Sequence, residues 1–277
     1  MKNLIVNIYK TLFFFDLSIV IAYYIPDIST ENAALLDLWQ NGIFLAVMII
    51  FTAVFLKFAE HGTLKVFNTK NKLCHYSIGL LTAVIPLGIT VAALWLLKML
   101  TFSGTGEAEH IILRLLSLLF NVIATGLLLR GYLFRLYRKY YSIPVTTAVI
   151  TALFISLNLY MLSDGVIYTV NMLIMNISLC LIAEYTRSVL APVTAHFIYN
   201  AVSSLVFGSF EASETFLPLL NTAFSGNIYI SGGDMKLEGS VIMLGVNLAV
   251  CIYFAVRLYK RNGYKIRNKQ TRRRSVY

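Results

Sequence analysis

Apolar residues fall into eight runs, at about 8–26, 35–56, 77–100, 111–134, 144–161, 166–184, 188–208 and 240–257, with short polar stretches between them. Crossing the hydrocarbon core takes about 20 apolar residues as a helix, so each run is a candidate span. The pattern predicts an all-α polytopic membrane protein of about eight transmembrane helices. Pro144 stands at the first turn of the fifth run, where a helix tolerates proline. Pro86 lies inside the third run, where it predicts a kink. The chain divides into three N-terminal spans (1–110), a four-span core (111–208), and an outer loop with the last span and a tail (209–277). The loop 209–239 carries the turn signals SGN and SGGD, and Phe216–Phe224 within it reads as a short interfacial helix.

Charge then orients the spans. Residues 27–34 hold no Lys or Arg, whereas the next loop carries Lys57, Lys65, Lys70 and Lys72. Residues 101–110 again hold none and include Glu107 and Glu109. The connection after them has Arg135, Arg138 and Lys139. Asp164, then Arg187, then Glu211, Glu214, Asp234 and Glu238 against Lys236 continue the alternation up to a basic tail. The positive-inside bias places both termini in the cytoplasm and makes this a multi-pass membrane protein.

Composition agrees: 58% of the 277 residues are hydrophobic and 13% charged, and the mean hydropathy is +0.74. The net charge of +10 does not indicate a nucleic-acid partner, because nine of the 23 Lys and Arg lie between Arg257 and Arg274, after the last apolar run. A basic tail beside a span is an anchor to anionic lipid, worth about 1 kcal/mol per residue near the surface. Membrane lipid is therefore the expected partner. Cys74, Cys180 and Cys251 form no disulfide or C-x-x-C pattern. Lys10 and Asp16 interrupt the first run, and no small-x-small site precedes Asp27, so the first run reads as a retained span.

The chemistry concentrates in a few polar positions inside the runs. The segment NVIATGLLLRGYLFRLY (121–137) sets Arg130 into an apolar stretch, and no Asp or Glu occurs from His110 to Ser163. A guanidinium there needs a partner, a wet cavity or a route to the interface. Both snorkelling, from about one turn short of the helix end, and a cavity-facing position are open. Helical spacing places Asn121 with Thr125, and Gly126 with Arg130, on shared faces. Phe154 and Asn158 share a face in the fifth run, and His196 and Asn200 in the seventh. Three or four zinc ligands are not available at depth, so no metal and no other cofactor is expected. A Ser-His-Asp triad lacks its acid, Asp16 being the carboxylate well inside a run. The glycines form no phosphate loop.

RGYLF, a basic turn with Ile-Pro, FxxxN and APVTAHFIYN, in that order, resemble the CAAX-protease and bacteriocin-processing (Abi) family of intramembrane endopeptidases over about residues 111–208. That family's motifs are Glu-Glu-x-x-x-Arg-Gly, Phe-x-x-x-His and His-x-x-x-Asn. Matched position by position, Arg130, Gly131, Phe154, His196 and Asn200 are present. The two glutamates fall on Thr125 and Gly126, and the second-motif histidine falls on Asn158. The resemblance implies a site in which a glutamate and a histidine activate water and the last His and Asn hold the oxyanion. Thr125 has no base of its own, Gly126 no side chain, and Asn158 cannot take a proton. Loss of a positioned general base costs roughly 10²–10⁴-fold.

Three readings follow. One is a catalytically degenerate relative that binds membrane peptides or partner helices, in bacteriocin self-immunity or in regulating another membrane protein. A second is an active endopeptidase with a rearranged base, for which Glu184 and Asp16 are the carboxylates considered. A third is a transporter or lipid-handling protein with a polar midplane. The expected partner besides lipid is a peptide or transmembrane protein, and oligomeric state is not legible.

Overall fold

The structure is a computed structural model. It describes the backbone of residues 2–62, 64, 66, 71–106, 109–208 and 218–274, with side chains between Ile5 and Arg261. Lys65, Lys70, Glu107, Glu211, Glu214, Phe216 and the tail side chains beyond Arg261 lie outside the described residues.

Each apolar run is a helix. In chain order these are α1 (Lys2–Tyr24), α2 (Ala33–Val54) with a π-helical end at Phe55–Ala59, and α3 (Lys72–Leu96). Then come α4 (Ile111–Thr125), a π-helical segment (Gly126–Leu133) and α5 (Phe134–Arg138), which continue one another. They are followed by α6 (Ile143–Leu157), α7 (Val166–Thr186) and α8 (Leu190–Asn200), the last prolonged by a π-helical segment (Ala201–Val206). The four-residue α9 (Ile228–Ser231) and the long α10 (Val241–Arg274) complete the series. Six of these helical stretches are long and apolar enough to cross a membrane, and 143–157 and 190–206 are shorter apolar helices. At 1.5 Å per residue the 15 residues of α6 rise about 22 Å. Asn158 ends α6: its amide donates to the Phe154 carbonyl at 2.9 Å, and the chain tightens into a 3₁₀ turn, Leu159–Leu162. Pro86 sits within α3, which continues through it to Leu96.

Two expectations change. The chain is mostly helical but not wholly so, because β1 (Leu100–Thr105) pairs antiparallel with β2 (Leu220–Phe224). Residues 220–224 of the expected 216–224 helix are thus a strand. Its partner lies about 120 residues earlier, and pairing at that separation leaves no local periodic signal. Lys236 donates from Nζ to the Gly208 carbonyl, and Ser203 to the Glu238 carboxylate. Asn171 donates to the Glu238 carbonyl at 2.9 Å, and Asn247 to Asn171 Oδ1 at 2.7 Å. These bonds tie the residues around Glu238 to α7, α10 and the end of α8.

α2 and α4 run side by side in parallel. Asn41 meets Ser117 and Asn121, Phe55 stacks edge-on to Tyr132, and Glu60 meets Lys139. The basic loops gather at one end of the bundle. There Glu60, 3% exposed, accepts from Lys10 and Lys139, and Arg138 pairs with Glu184 at 3.2 Å. Arg261 donates to the Tyr185 and Glu184 carbonyls at 2.7 and 3.0 Å. The two-stranded sheet lies toward the opposite end, beside the start of α4. α3 and α8 touch closely: a Cβ on Gly79 would lie 2.5 Å from the Ala191 carbonyl oxygen, so only a glycine allows this approach.

A candidate binding cavity between the helices

α2, α4, α6, α7 and α8 enclose a cavity of about 490 Å³. Its wall carries Thr125, Arg130, Phe154, Asn158, His196 and Asn200, together with Asp37, Asn41, Arg114, Ser117, Asn121, Tyr160 and Ser204. Residues as far apart in sequence as Asp37 and Ser204 thus meet at one space, as candidate reacting groups must.

Two π-helical segments flank it. The first begins right after Thr125 and carries Arg130; the second begins right after Asn200. A π segment widens the helix by letting an i→i+5 bond replace i→i+4, and such segments recur at functional sites. Arg130 does not snorkel. It is 1% exposed, and its Nη2 donates to Asn176 Oδ1 of α7 at 2.7 Å. The Asn176 amide donates onward to Thr151 Oγ1 at 3.1 Å. Arg130 Nε is buried with no acceptor.

The helical spacing of His196 and Asn200 gives a direct contact, Asn200 Nδ2 to His196 Nε2 at 3.2 Å. With Nε2 accepting, the ring proton sits on Nδ1, which is buried without an acceptor. Thr125 spends its hydroxyl on its own helix, donating to the Asn121 carbonyl at 3.0 Å. Asn158 Oδ1 accepts from the Tyr160 hydroxyl at 3.3 Å.

Gly126 is the exception among the expected site positions. It does not line the cavity. Its missing side chain faces α8, where a Cβ would come within 2.4 Å of Val193 Cγ2. The shared face inferred for Gly126 and Arg130 assumed an α-helical repeat, whereas the chain is π-helical from Gly126 onward. Thr125 is the neighbour that shares the cavity with Arg130.

Sequence reading missed a polar ladder on the α2–α4 seam. Asn41 donates to Ser117 Oγ at 2.9 Å, and Asn121 donates to Asn41 Oδ1 at 2.8 Å. Asp37 and Arg114 interact electrostatically one turn further out. The signal was present, since Asp37 and Asn41, and Arg114, Ser117 and Asn121, recur at helical spacing. A carboxylate therefore does reach the cavity wall. With Asp37 level with Arg114, it sits about 16 Å along the α4 axis from Thr125 at 1.5 Å per residue. Glu184 is held by Arg138 at the basic end, and Asp16 is exposed on α1; neither lines the cavity. Among the described residues no group of three His, Cys, Asp or Glu could hold a metal ion.

Residues 107–202, about a third of the chain, match the family model Rce1-like, described as Type II CAAX prenyl endopeptidase Rce1-like. Over this segment the chain is similar to the CAAX prenyl endopeptidase family. The match spans every motif position from Thr125 to Asn200. No curated protein and no solved structure matches the chain. Within the matched segment Thr125, Arg130, Phe154, Asn158, His196 and Asn200 all line one cavity. The position of the second glutamate is instead a helix-packing contact.

Proposed function

We propose that the protein is a catalytically degenerate CAAX-endopeptidase relative whose cavity binds membrane peptides or partner helices without cutting them. The observation that carries this reading is the composition of the cavity wall near Arg130. Thr125 and Asn158 occupy the places of an acid and a histidine, and the Thr125 hydroxyl and one Asn158 amide hydrogen are donated to their own helices at 3.0 and 2.9 Å. A general base must come within about 3 Å of the attacking water, directly or through one water. Asp37 is several times too far along the helix axis to serve. His196 can accept a proton, but its Nε2 is engaged by Asn200.

The same reading has eight crossings with both termini in the cytoplasm of the cell membrane. The gathering of Lys10, Lys139, Arg138 and Arg261 at one end of the bundle supports it. Bacteriocin self-immunity, or regulation of a partner membrane protein, is the role the family suggests.

The test is the purified protein in nanodiscs with candidate membrane peptides. Binding is read by cross-linking from a photoreactive residue at Leu205 on the cavity wall. Cross-linking without cleavage is expected. Cleavage that disappears in His196→Ala would overturn the reading. Cleavage that appears only after Thr125→Glu with Asn158→His would support it.

A further inference from the structure

Arg130 differs from the other cations of the bundle. Lys10 and Lys139 share Glu60, and Arg138 pairs with Glu184. Arg135 donates to the Ala183 carbonyl at the basic end, and Arg261 to two carbonyls there. Arg130 is deeper than any of these, at 1% exposure, and its acceptor is a neutral amide oxygen. Among the described residues no carboxylate lies at ion-pair distance from it. Its Nε–H is unspent. A guanidinium cannot shed its proton at physiological pH, so this charge stays in the interior. An unpaired buried charge is costly, and removing the partner of a buried pair typically costs several kcal/mol.

The cavity compounds the imbalance. Its other charges, Asp37 and Arg114, face each other and offset. The remaining polar groups near Arg130 are neutral: Thr125, Asn158, His196, Asn200 and Ser204. The space therefore carries one unopposed positive charge beside a set of neutral hydrogen-bonding groups.

We propose that the cavity is a receptor for a monovalent carboxylate, with Arg130 as its anchoring cation. This rests on the reading that the cavity binds rather than cuts. The ligand brings the acid that the chain lacks. Arg130 keeps N–H donors beyond the bond from Nη2 to Asn176, and charge-assisted bonds from a guanidinium to a carboxylate are short and strong. A single charge calls for a monoanion rather than a phosphate dianion. At about 490 Å³ the cavity is in the small-ligand range, so of a bound peptide or helix it takes in one terminus or side chain. The carboxylate is supplied either by a free small acid or by an acidic group of a peptide entering the cavity.

The experiment uses the full chain in nanodiscs of zwitterionic lipid. Thermal unfolding is followed while sodium acetate replaces sodium chloride at constant ionic strength. Since a ligand that binds only the folded state raises stability with its concentration, the midpoint should climb with acetate and follow a binding isotherm. Arg130→Gln should weaken this apparent affinity at least about tenfold, the loss expected for a charge-assisted hydrogen bond. Arg257→Gln, an exposed cation at the basic end and away from the cavity wall, should leave the affinity within about threefold, since exposed charges are screened. Thr125→Glu, which puts an acid on the same wall, should abolish the acetate response while keeping the fold, and it decides the matter should Arg130→Gln fail to fold.

A short apolar peptide with a free carboxyl terminus, compared with its amide, separates the sources. Competition with acetate by the acid form alone assigns the site to peptide carboxylates, and no competition by either form assigns it to free acids. Equal midpoints in acetate and chloride would overturn the proposal, as would an acetate response unchanged in both Arg130→Gln and Thr125→Glu. A peptide cleaved in a His196-dependent way would instead overturn the functional reading and leave the acetate result standing.

Discussion

Gly126 gives the sharpest physical test of how this site is built. Replacing a helical glycine by alanine ordinarily gains about 1 kcal/mol of helix propensity. At Gly126 the added Cβ would meet Val193 Cγ2 at 2.4 Å, closer than carbon atoms approach, so α4 or α8 must shift. Overpacking of this kind costs about 1–3 kcal/mol. The two terms together predict that Gly126→Ala changes stability by about 0–2 kcal/mol in the unfavourable direction. Gly88 in α3 and Gly245 in α10 are controls, because a Cβ there meets nothing within 4 Å. Alanine at either should be neutral or stabilise by up to about 1 kcal/mol. Val193→Ala removes the obstructing methyl, so Gly126→Ala should cost less in that background, with a coupling of at least about 0.5 kcal/mol. Reversible unfolding in mixed detergent micelles, read by circular dichroism, measures all five variants. If Gly126→Ala stabilises as much as Gly88→Ala, and Val193→Ala changes nothing about it, the packing account of Gly126 is wrong. Gly126 would then have to be returned to the cavity. The same contact implies that a glutamate can be introduced at 126 only alongside a shortened residue 193, whereas Thr125→Glu needs no such relief.

Other outcomes follow from the same contacts. Arg130→Met, which replaces a buried charge lacking an acidic partner with an apolar chain of similar length, should be neutral or stabilising in chemical denaturation. Asn176→Leu keeps the charge and removes its acceptor, and should destabilise by about 1.5–3 kcal/mol in the same assay. Glu60→Gln weakens the bonds to Lys10 and Lys139 and should loosen the basic end, read as faster backbone hydrogen exchange at the ends of α2 and α5. Asn247→Leu strands Asn171 Oδ1 in the interior and should cost about 1–3 kcal/mol by equilibrium unfolding.

The sequence by itself determined the helices. Each apolar run of membrane length became one, because a segment without water must satisfy its backbone hydrogen bonds internally. The sequence also determined which polar residues share a helix face. His196 and Asn200, and Asn121 and Thr125, lie four residues apart, so an α-helix stacks each pair on one face wherever the helix goes. The motif order around Arg130 carried the resemblance.

What only the tertiary structure decided depends on pairings across the bundle. Gly126 faces Val193, and Arg130 the cavity, because the helix turns π-helical at that point, and a small periodicity change redirects side chains that an α-helical repeat would align. Arg130 is sealed in rather than snorkelling because Asn176 of α7 meets it at 2.7 Å. Asp37 joins the cavity because α2 packs parallel to α4, a choice of neighbour that no local spacing encodes. The strand at Leu220–Phe224 exists because Leu100–Thr105 is there to pair with it. Local periodicity fixes which residues share a helix face; which faces meet is set by packing between segments far apart in the chain, and there Arg130 was left buried without an acid of its own.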